Sequence, residues 1–420
     1  MKSKLAAQIF VLSLLGLLCL SQVTLAETVL KTAVELPSNI NSYPLMRVAI
    51  AQNVDKARLE FSSPYKVTHP ITGDLLAQGL PQKDVTLNAS KEGIMLGNRL
   101  IRSSSLHVLT EDQTVRVEGK TYRASLRVVK NEKGKLVLIN EIDIEDYLKG
   151  VLPWEVDHRW HMEALKAQAV AARTFALFQA LKNPNAQFFL TNDVKSQVYG
   201  GKTSEHLRTT EAVDATRGQI LTYRGMIFQA YFHSSCGGKT TRADAVWSVV
   251  PLAPLTGVQC GFCQGSKYDS WSAEFSLEQI RKKLVDRGLR IGPISKIEAL
   301  DRDRSGRVKQ IVIYHSGGVY KMKAGEFRVI IGAEKMRSTL VMLESTSDKL
   351  TMTGKGWGHG VGFCQWGSKS MAERGFTYEN IVRFYYPGSQ ITQAYSVPAE
   401  KFSEGWFSRM MEKVKDVFGG

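Results

Sequence analysis

Residues 152–181 read LPWEVDHRWHMEALKAQAVAARTFALFQAL. The stretch begins with an apolar turn, stiffened by a proline, that carries the carboxylate of Glu155. Alanine favours helix, and apolar residues recur here at helical spacing, so the sequence predicts a buried helix over Met162–Leu181. This helix is expected to be the element on which the rest of its domain packs.

Two polar residues interrupt the apolar helix, Gln168 and Arg173. A buried arginine needs a partner, and the nearby carboxylates of Glu155 and Glu163 are the candidates. One interpretation is a structural ion pair; the other is an arginine that orients Glu155 or holds a sugar carboxylate. Joint action of Glu155 and Arg173 on one sugar requires the intervening chain to fold back.

The neighbours of Glu155 suit a general acid. Pro153, Trp154 and Val156 form an apolar setting, which disfavours the charged form of a carboxyl group. A glycoside hydrolase normally uses two carboxylates. Asp157 and Glu163 are available as a second one, so the residues leave open whether one carboxylate or two would act.

Outside this stretch the sequence predicts an α+β fold. Residues 45–140 are β-rich, with a hairpin around Asn131-Glu-Lys-Gly, and are expected to form a β-rich N-terminal domain. Residues 141–394 mix helices and strands and are expected to form the catalytic domain, in which the alanine-rich helix packs on antiparallel strands. A hairpin is predicted with its turn at Tyr223-Arg-Gly.

Glycine occupies every second position from Gly354 to Gly362. In an extended segment this pattern leaves one face without side chains and places Trp357 and His359 on the other. Such a face implies close approach by a backbone or a ligand. Trp357 is a candidate for stacking on a sugar ring, and the alternative is tight packing, with the alanine-rich helix as one candidate partner.

The sequence has four cysteines after residue 26, and their spacing is typical of metal ligands. Cys260-Gly-Phe-Cys263 is a CxxC pair and His233-Ser-Ser-Cys236 an HxxC pair, while Cys364 stands alone. Any four of these five groups would suit a tetrahedral, structural zinc. Disulfides are the alternative for an exported protein.

The N-terminus predicts export. Basic residues precede an apolar run and small residues, which is typical of a signal peptide over residues 1–26, with an uncleaved anchor as the alternative. The net charge is +15, but the basic residues are scattered, which argues against a nucleic-acid partner. Residues 396–420 have a basic amphipathic helical pattern that suits a membrane surface, a partner groove or docking on the chain itself.

Several blocks together resemble the stage II sporulation protein D family, which includes amidase enhancers. The blocks are Tyr147-Leu-Lys-Gly-Val-Leu-Pro-Trp-Glu-Val, Glu163-Ala-Leu-Lys-Ala-Gln-Ala-Val-Ala-Ala-Arg-Thr-Phe-Ala, Thr216-Arg-Gly, Tyr231-Phe-His-Ser-Ser-Cys-Gly-Gly and Gly356-Trp-Gly-His-Gly-Val-Gly-Phe-Cys-Gln-Trp-Gly. The resemblance covers about residues 47–390 and is sharpest after residue 141.

The resemblance implies a lytic transglycosylase that acts on peptidoglycan glycan strands, best known on strands stripped of stem peptides, in the periplasm, the cell wall or at the outer face of the membrane. The family's catalytic glutamate falls on Glu155 and a functionally important arginine on Arg173. Some members bind zinc near the histidine that matches His233. Candidate substrate-binding residues are Gln168, Ser234, Ser235, Trp357, His359 and Gln365, and candidate metal ligands are His233, Cys236, Cys260, Cys263 and Cys364. The alternative function is a non-catalytic modifier that stimulates a cell-wall amidase.

Overall fold

The computed structural model describes residues 33–36, 45–193 and 196–395. The predicted signal peptide (1–26) and the predicted C-terminal amphipathic helix (396–420) lie outside these residues. Within the described ranges, no helix has the length and apolar composition that crossing a bilayer requires.

The chain forms two compact units. Among the described residues, the first unit comprises residues 36, 45–193, 196–220 and 391–395, and the second unit comprises residues 33–35 and 221–390. The β-rich segment and the alanine-rich helix therefore share one unit. Both units mix strands and helices, so the predicted α+β class is confirmed.

The elements have the following bounds. The strands are β1 (Ala33–Glu35), β2 (Leu45–Val54), β3 (Lys56–Phe61), β4 (Tyr65–Thr68), β5 (Leu75–Gly79), β6 (Gln82–Ser90), β7 (Gly93–Leu96), β8 (Arg99–Ile101), β9 (Ser105–Thr110), β10 (Thr114–Val117), β11 (Lys120–Arg123), β12 (Ser125–Lys130), β13 (Leu136–Asp143), β14 (Leu190–Thr191), β15 (Gln219–Tyr223), β16 (Met226–Phe228), β17 (Phe232–His233), β18 (Trp271–Ser276), β19 (Ile294–Arg302), β20 (Val308–His315), β21 (Gly318–Lys323), β22 (Val341–Ser345), β23 (Lys349–Gly354), β24 (Phe363–Cys364) and β25 (Gln390–Gln393). The helices are α1 (Ile144–Glu155), α2 (Met162–Lys182), α3 (Leu207–Ala215), α4 (Ala243–Val246), α5 (Leu277–Val285), α6 (Ala324–Ile331), α7 (Gln365–Glu373) and α8 (Tyr378–Tyr385), with 3-10 turns at Lys202–Ser204 and Ala253–Leu255.

The first unit contains two large sheets. One has the order β14-β2-β13-β12-β9-β4-β5 and the other β11-β10-β3-β6-β7-β8. In β3, Ala57, Leu59 and Phe61 alternate with more exposed residues, so this strand turns one face to the core. Strand β13 is buried along nearly its whole length, as expected of a central strand with both faces covered.

The predicted hairpin around residue 131 is confirmed, since Lys130 pairs with Leu136 in the β12–β13 ladder. The segment before it, residues 120–130, does not form one strand, however. It breaks at Ala124, whose φ of 61° lies in the left-handed region. As a result β11 joins one sheet and β12 the other.

Helix α1 differs from the sequence prediction at its C-terminal end. The Asp143 side chain caps its start by accepting hydrogen bonds from the amides of Glu145 and Asp146. The helix then passes through Gly150 and Pro153 and ends at Glu155, so the predicted turn at Leu152–Glu155 is wrong. Proline removes only one hydrogen bond to the preceding turn, which the packed helix tolerates.

Helix α2 is confirmed and extends one residue beyond the prediction. Arg173 on this helix is fully buried and makes an ion pair with Glu145 at the start of α1, with nitrogen–oxygen distances of 2.7 and 3.0 Å. The predicted partners of Arg173, Glu155 and Glu163, are therefore wrong. The chain does fold back between the two helices, but it brings Arg173 to the end of α1 opposite Glu155.

The ion pair is the centre of a larger hydrogen-bond network. Arg173 also donates to the carbonyls of Val213 and Gln219, at 3.1 Å each. Glu145 accepts from the amide of Gly218 and from the hydroxyl of Tyr395, at 2.9 and 2.6 Å. Burial alone would raise the pKa of Glu145, but the Arg173 charge and these donors hold it below its usual value.

The second unit contains the sheets β17-β24, β18-β23-β22 and β19-β20-β21. The hairpin of β15 and β16 is confirmed, with Arg224 and Gly225 at positive φ in the turn. Strands β19, β20 and β21 form one antiparallel sheet. They share an apolar core with β18, β22, β23, α5 and α6, in which Ile280, Ile311 and Phe327 are fully buried.

We expect Glu145→Gln to lower the free energy of unfolding by about 3–5 kcal/mol, because it leaves the buried Arg173 charge without its counter-charge. Urea or thermal unfolding, followed by circular dichroism, measures the change. Glu163→Gln is the matched control, since Glu163 pairs with Lys166 nearer the surface and should cost at most about 1 kcal/mol.

The difference in stability between wild type and Glu145→Gln should depend on pH. Because the pKa of Glu145 is lower in the folded chain, its contribution is complete above its unfolded pKa of about 4.3 and is lost as pH falls through the folded value. The difference between wild type and Glu145→Gln should therefore shrink in acid. Equal stabilities of Glu145→Gln and Glu163→Gln at neutral pH would contradict this account of the ion pair.

Candidate active site and metal centre

Glu155 is the last residue of α1 and is partly exposed. The two residues before it, Pro153 and Trp154, line a groove of about 360 Å³ in the first unit. The other lining residues are Lys120, Gly200, Thr203 and Ser204. The volume is at the lower end of the range for ligand sites in proteins. Glu155 thus stands at a helix end, next in sequence to two residues that line a groove of ligand size.

The electrostatic field of Glu155 reaches Tyr147 inside the helix pair. Burial, and secondly the negative charge of Glu155, raise the pKa of Tyr147 well above its usual value. The Tyr147 hydroxyl therefore stays protonated and donates to Gln197 at 3.0 Å. Gln197 in turn donates to the carbonyl of Ala172 at 3.3 Å, which links α1 to α2 behind the site.

Both candidates for a second carboxylate have cationic neighbours. Asp157 accepts hydrogen bonds from Arg159, the shortest at 2.6 Å, and these bonds lower the pKa of Asp157. Glu163 pairs with Lys166 at 2.8 Å.

Gln168 and Arg173 are both fully buried in α2. Within the described residues, neither amide atom of the Gln168 side chain has a hydrogen-bond partner. Glu145, the partner of Arg173, precedes Glu155 by ten helical residues, which corresponds to about 15 Å along α1. The structure therefore does not bring Arg173 and Glu155 together on one sugar.

In the second unit, Cys236, Cys260, Cys263 and Cys364 converge. Their four sulfur atoms lie within 4.8 Å of one another, all are buried, and none forms a disulfide. A tetrahedral zinc with Zn–S bonds of about 2.3 Å separates its sulfurs by about 3.8 Å. The observed cluster is close to that size, so these side chains could hold a metal ion.

Hydrogen-bond donors surround the sulfurs, as a thiolate cluster requires. Cys364 caps α7 and accepts from the amides of Cys236 and Gly367, at 3.2 and 3.4 Å. The Tyr385 hydroxyl lies 3.2 Å from the sulfur of Cys260. Hydrogen bonds from the neighbouring thiols, first of all Cys236, lower the pKa of Cys263. Burial and the other thiols raise the pKa of Cys364. Packed thiols oppose one another's ionisation, a conflict that a bound cation removes.

A buried arginine lies beside the cluster. Arg307 is almost fully buried and donates to the carbonyls of Cys236 and Lys239, at 2.6 and 2.8 Å. Burial lowers the pKa of Arg307, while the thiols Cys236, Cys364 and Cys263 act in the opposite direction. A tetrathiolate around a divalent cation has a net charge of −2, so the Arg307 guanidinium has the sign that offsets it.

His233 is not part of the sulfur cluster, so its prediction as a metal ligand is not met. Its Nδ1 lies 3.1 Å from the carbonyl oxygen of Val361 and must be the protonated nitrogen that donates to it. Burial, followed by the proximity of His359 and Arg307, lowers the pKa of His233 well below its usual value. Burial and the Arg328 charge lower that of His359 to about 3. Both rings are neutral at physiological pH.

The glycine-rich segment is not the extended strand predicted. Gly356, Gly358, Gly360 and Gly362 all have positive φ, so the chain is irregular. The close approach that the glycines predicted is present. A Cβ on Gly362 would lie 2.2 Å from the carbonyl oxygen of Tyr231, and one on Gly360 would lie 2.4 Å from the Arg307 guanidinium. The packing partner is the segment 231–237 together with Arg307.

The remaining predicted substrate-binding residues lie along this packing interface. Trp357 and Ser235 exchange backbone hydrogen bonds at 2.8 and 3.0 Å, and Ser235 is buried. The Ser234 carbonyl accepts from the amide of Trp366 at 3.0 Å. Gln365 is buried at the first position of α7.

Sequence reasoning missed Glu145, Arg307 and the exposed indole of Trp154. Glu145 stands two residues after the helix cap Asp143, where an acidic residue is expected to favour the helix dipole and nothing more. Arg307 lies in a turn between two strands, where arginine is ordinarily solvated. Only the fold shows that both are buried.

The chain is similar to several known proteins. The family model described as stage II sporulation protein matches residues 132–223, and a model for a domain of unknown function matches residues 260–362. An uncharacterized protein of Brachyspira hyodysenteriae is 31% identical over 364 residues, covering 86% of this chain and 96% of that protein. The amidase enhancer of Bacillus subtilis is 29% identical over 357 residues, 70% of this chain and 50% of that protein.

Stage II sporulation protein D of Bacillus amyloliquefaciens is 30% identical over 272 residues, which cover 61% of this chain and 76% of that protein. The first matched segment contains Glu145, Glu155, Gln168 and Arg173, and the second contains Cys260, Cys263 and the glycine-rich run, with Cys236 and Cys364 outside it. The chain belongs to the stage II sporulation protein D family.

Proposed function

We propose that this protein is a peptidoglycan lytic transglycosylase that cleaves glycan strands at the glycosidic bond following N-acetylmuramic acid, with Glu155 as acid and base. The observation that carries the proposal is the place of Glu155. It is a partly exposed carboxyl group at the end of a fixed helix, next in sequence to Pro153 and Trp154, which line a groove of ligand size. The family membership of the chain supports a cell-wall substrate.

The proposed reaction needs one carboxyl group. Glu155 donates its proton to the glycosidic oxygen as the bond from that oxygen to the anomeric carbon breaks. The 6-hydroxyl oxygen of the same muramic residue then bonds to the anomeric carbon, and its proton passes to Glu155. The products are a 1,6-anhydromuramic end and a free sugar hydroxyl, and no water is consumed.

Two features of the first unit support this scheme. The negative end of the α1 dipole lies near Glu155 and disfavours a further negative charge there, which suits a group that starts as a proton donor. The other nearby carboxylates, Asp157 and Glu163, pair with Arg159 and Lys166. A single acting carboxylate is consistent with both features.

In this proposal Arg173 is a positioning residue. Its ion pair holds the start of α1, and α1 carries Glu155 at its other end. The side chain is fully buried, so its effect on the reaction passes through the helix.

We propose a structural zinc bound by Cys236, Cys260, Cys263 and Cys364. Four sulfur ligands leave no open position, so this ion would stabilise the second unit and take no part in the reaction. The stripped glycan carries carboxylates, which the positive charge of the chain would attract. The substrate requires an exported protein, in keeping with the predicted signal peptide.

A second function has one observation in its favour, the similarity to an amidase enhancer. In that case the chain would bind the wall or an amidase and stimulate it without cleaving glycan. The two functions are separated by measuring how fast a purified amidase cleaves the wall when wild type or Glu155→Gln is added. Equal stimulation by both proteins, with no cleavage of glycan by either, would favour the modifier.

We expect Glu155→Gln to reduce glycan cleavage about 10²–10⁴-fold, the usual effect of losing a general acid. Peptide-free glycan strands are digested, and products are identified by mass spectrometry, which should show 1,6-anhydromuramic ends with wild type and far fewer of them with Glu155→Gln. Asp157→Asn and Glu163→Gln are matched controls and should retain most activity. An equal loss in Asp157→Asn would instead indicate a second catalytic carboxylate.

Metal analysis of the purified protein should find one zinc per chain. Cys364→Ala should lose the zinc and lower the melting temperature, whereas His233→Ala should keep it, since His233 lies outside the sulfur cluster. Thiol titration of the unfolded, metal-free protein gives the second readout. Loss of zinc in His233→Ala, or cysteines that are oxidised and carry no metal, would contradict the proposed ligand set.

A further inference from the structure

Trp154 is an exposed aromatic side chain in a fixed position. The side chain is 56% exposed, so a large part of this aromatic ring system is available for contact. Its indole nitrogen donates to the Ser204 hydroxyl at 2.8 Å. The hydrogen bond fixes the edge of the ring, while its broad surface remains open to solvent.

Gly200 makes room for this arrangement. A Cβ at this position would lie 2.3 Å from the Trp154 indole nitrogen and 1.8 Å from the Ser204 oxygen, so any other residue would displace the indole. The loop that carries Ser204 is itself anchored. Thr203 accepts from the amide of Thr121 at 2.8 Å, and Glu205 makes a two-pronged ion pair with Arg123 at 2.5 and 2.6 Å. The indole is therefore held in place before any ligand arrives.

The groove beside the indole has a positive charge on its wall. Lys120 lies on its wall, at the start of β11, and is exposed. An aromatic face packs on the apolar C–H face of a sugar ring, and an ammonium group attracts a carboxylate on the same ring. The combination is suited to an acidic sugar.

We propose that Trp154 and Lys120 form a binding subsite for an acidic pyranose unit of a glycan strand, next to the unit that reacts at Glu155. This inference rests on the proposed glycan substrate. Consecutive helical residues point about 100° apart, so Trp154 contacts a neighbouring sugar and not the reacting atoms. The subsite holds the strand in register, and its loss should raise KM more than it lowers kcat.

The test uses the Glu155→Gln protein, which separates binding from cleavage. Calorimetry measures its affinity for peptide-free glycan oligosaccharides of increasing length. Adding Trp154→Ala should weaken binding of long oligosaccharides at least about tenfold, a typical effect of losing a buried aromatic contact. Adding Trp154→Phe should weaken it less. The shortest oligosaccharides, which cannot fill both subsites, should bind alike to all these proteins.

The matched control is Leu207→Ala, since Leu207 is 71% exposed in the same unit and lies outside the groove. It should bind like the parent protein. Adding Lys120→Ala should weaken binding and reduce its dependence on salt, because a charge pair is lost. Lys133→Ala, at an exposed lysine outside the groove, should change neither.

Equal affinities of the parent and the Trp154→Ala protein at every length would overturn the proposal, as would a parent protein that binds no glycan. Cleavage by the wild-type protein tests the catalytic proposal separately from binding. Length-dependent binding that requires Trp154, in a wild-type protein that cleaves nothing, would support the subsite and refute the transglycosylase. If wild type cleaves glycan and Trp154→Ala cleaves it with the same KM, the transglycosylase would be supported and the subsite refuted.

Discussion

The helical part of the first unit depends on the burial of one charge, the guanidinium of Arg173. A charge removed from water is tolerated only when its donors are matched, and here they are. Glu145 supplies both carboxylate oxygens, while Val213 and Gln219 supply carbonyls. These partners come from separate segments, so the chain satisfies Arg173 only by packing α1, α3 and the start of β15 around α2.

This constraint has a functional consequence at the other end of α1. The helix begins at the ion pair and ends with Trp154 and Glu155. A side chain on a helix that is fixed by packing is positioned more accurately than one on a loop, which is what a proton donor requires. In the proposed mechanism Arg173 thereby affects the reaction without contacting a substrate. In the second unit Arg307 is another buried guanidinium, and it donates to the carbonyl of Cys236 in the sulfur cluster.

The features that sequence predicted well have local signals. Helix α2 followed from its alanine spacing, and the β15–β16 hairpin followed from the residues in its turn. Glu145 could not be identified as the partner of Arg173, because 28 residues separate them and two nearer carboxylates competed. The cysteine spacing predicted a metal centre, but the exclusion of His233 depends on the carbonyl of Val361, 128 residues away. The alternating glycines predicted close packing correctly. Their period of two also suggested a strand, but its cause is that every second residue has a positive φ.

The most direct test of the single-carboxylate account is to run the reaction in water enriched in heavy oxygen. Peptide-free glycan strands are cleaved by the wild-type protein, and the new ends are examined by mass spectrometry. The account predicts that the new muramic ends contain no heavy oxygen, because the 6-hydroxyl of the sugar replaces water as the nucleophile. One heavy oxygen atom in each new reducing end would show that water is the nucleophile and would contradict the account.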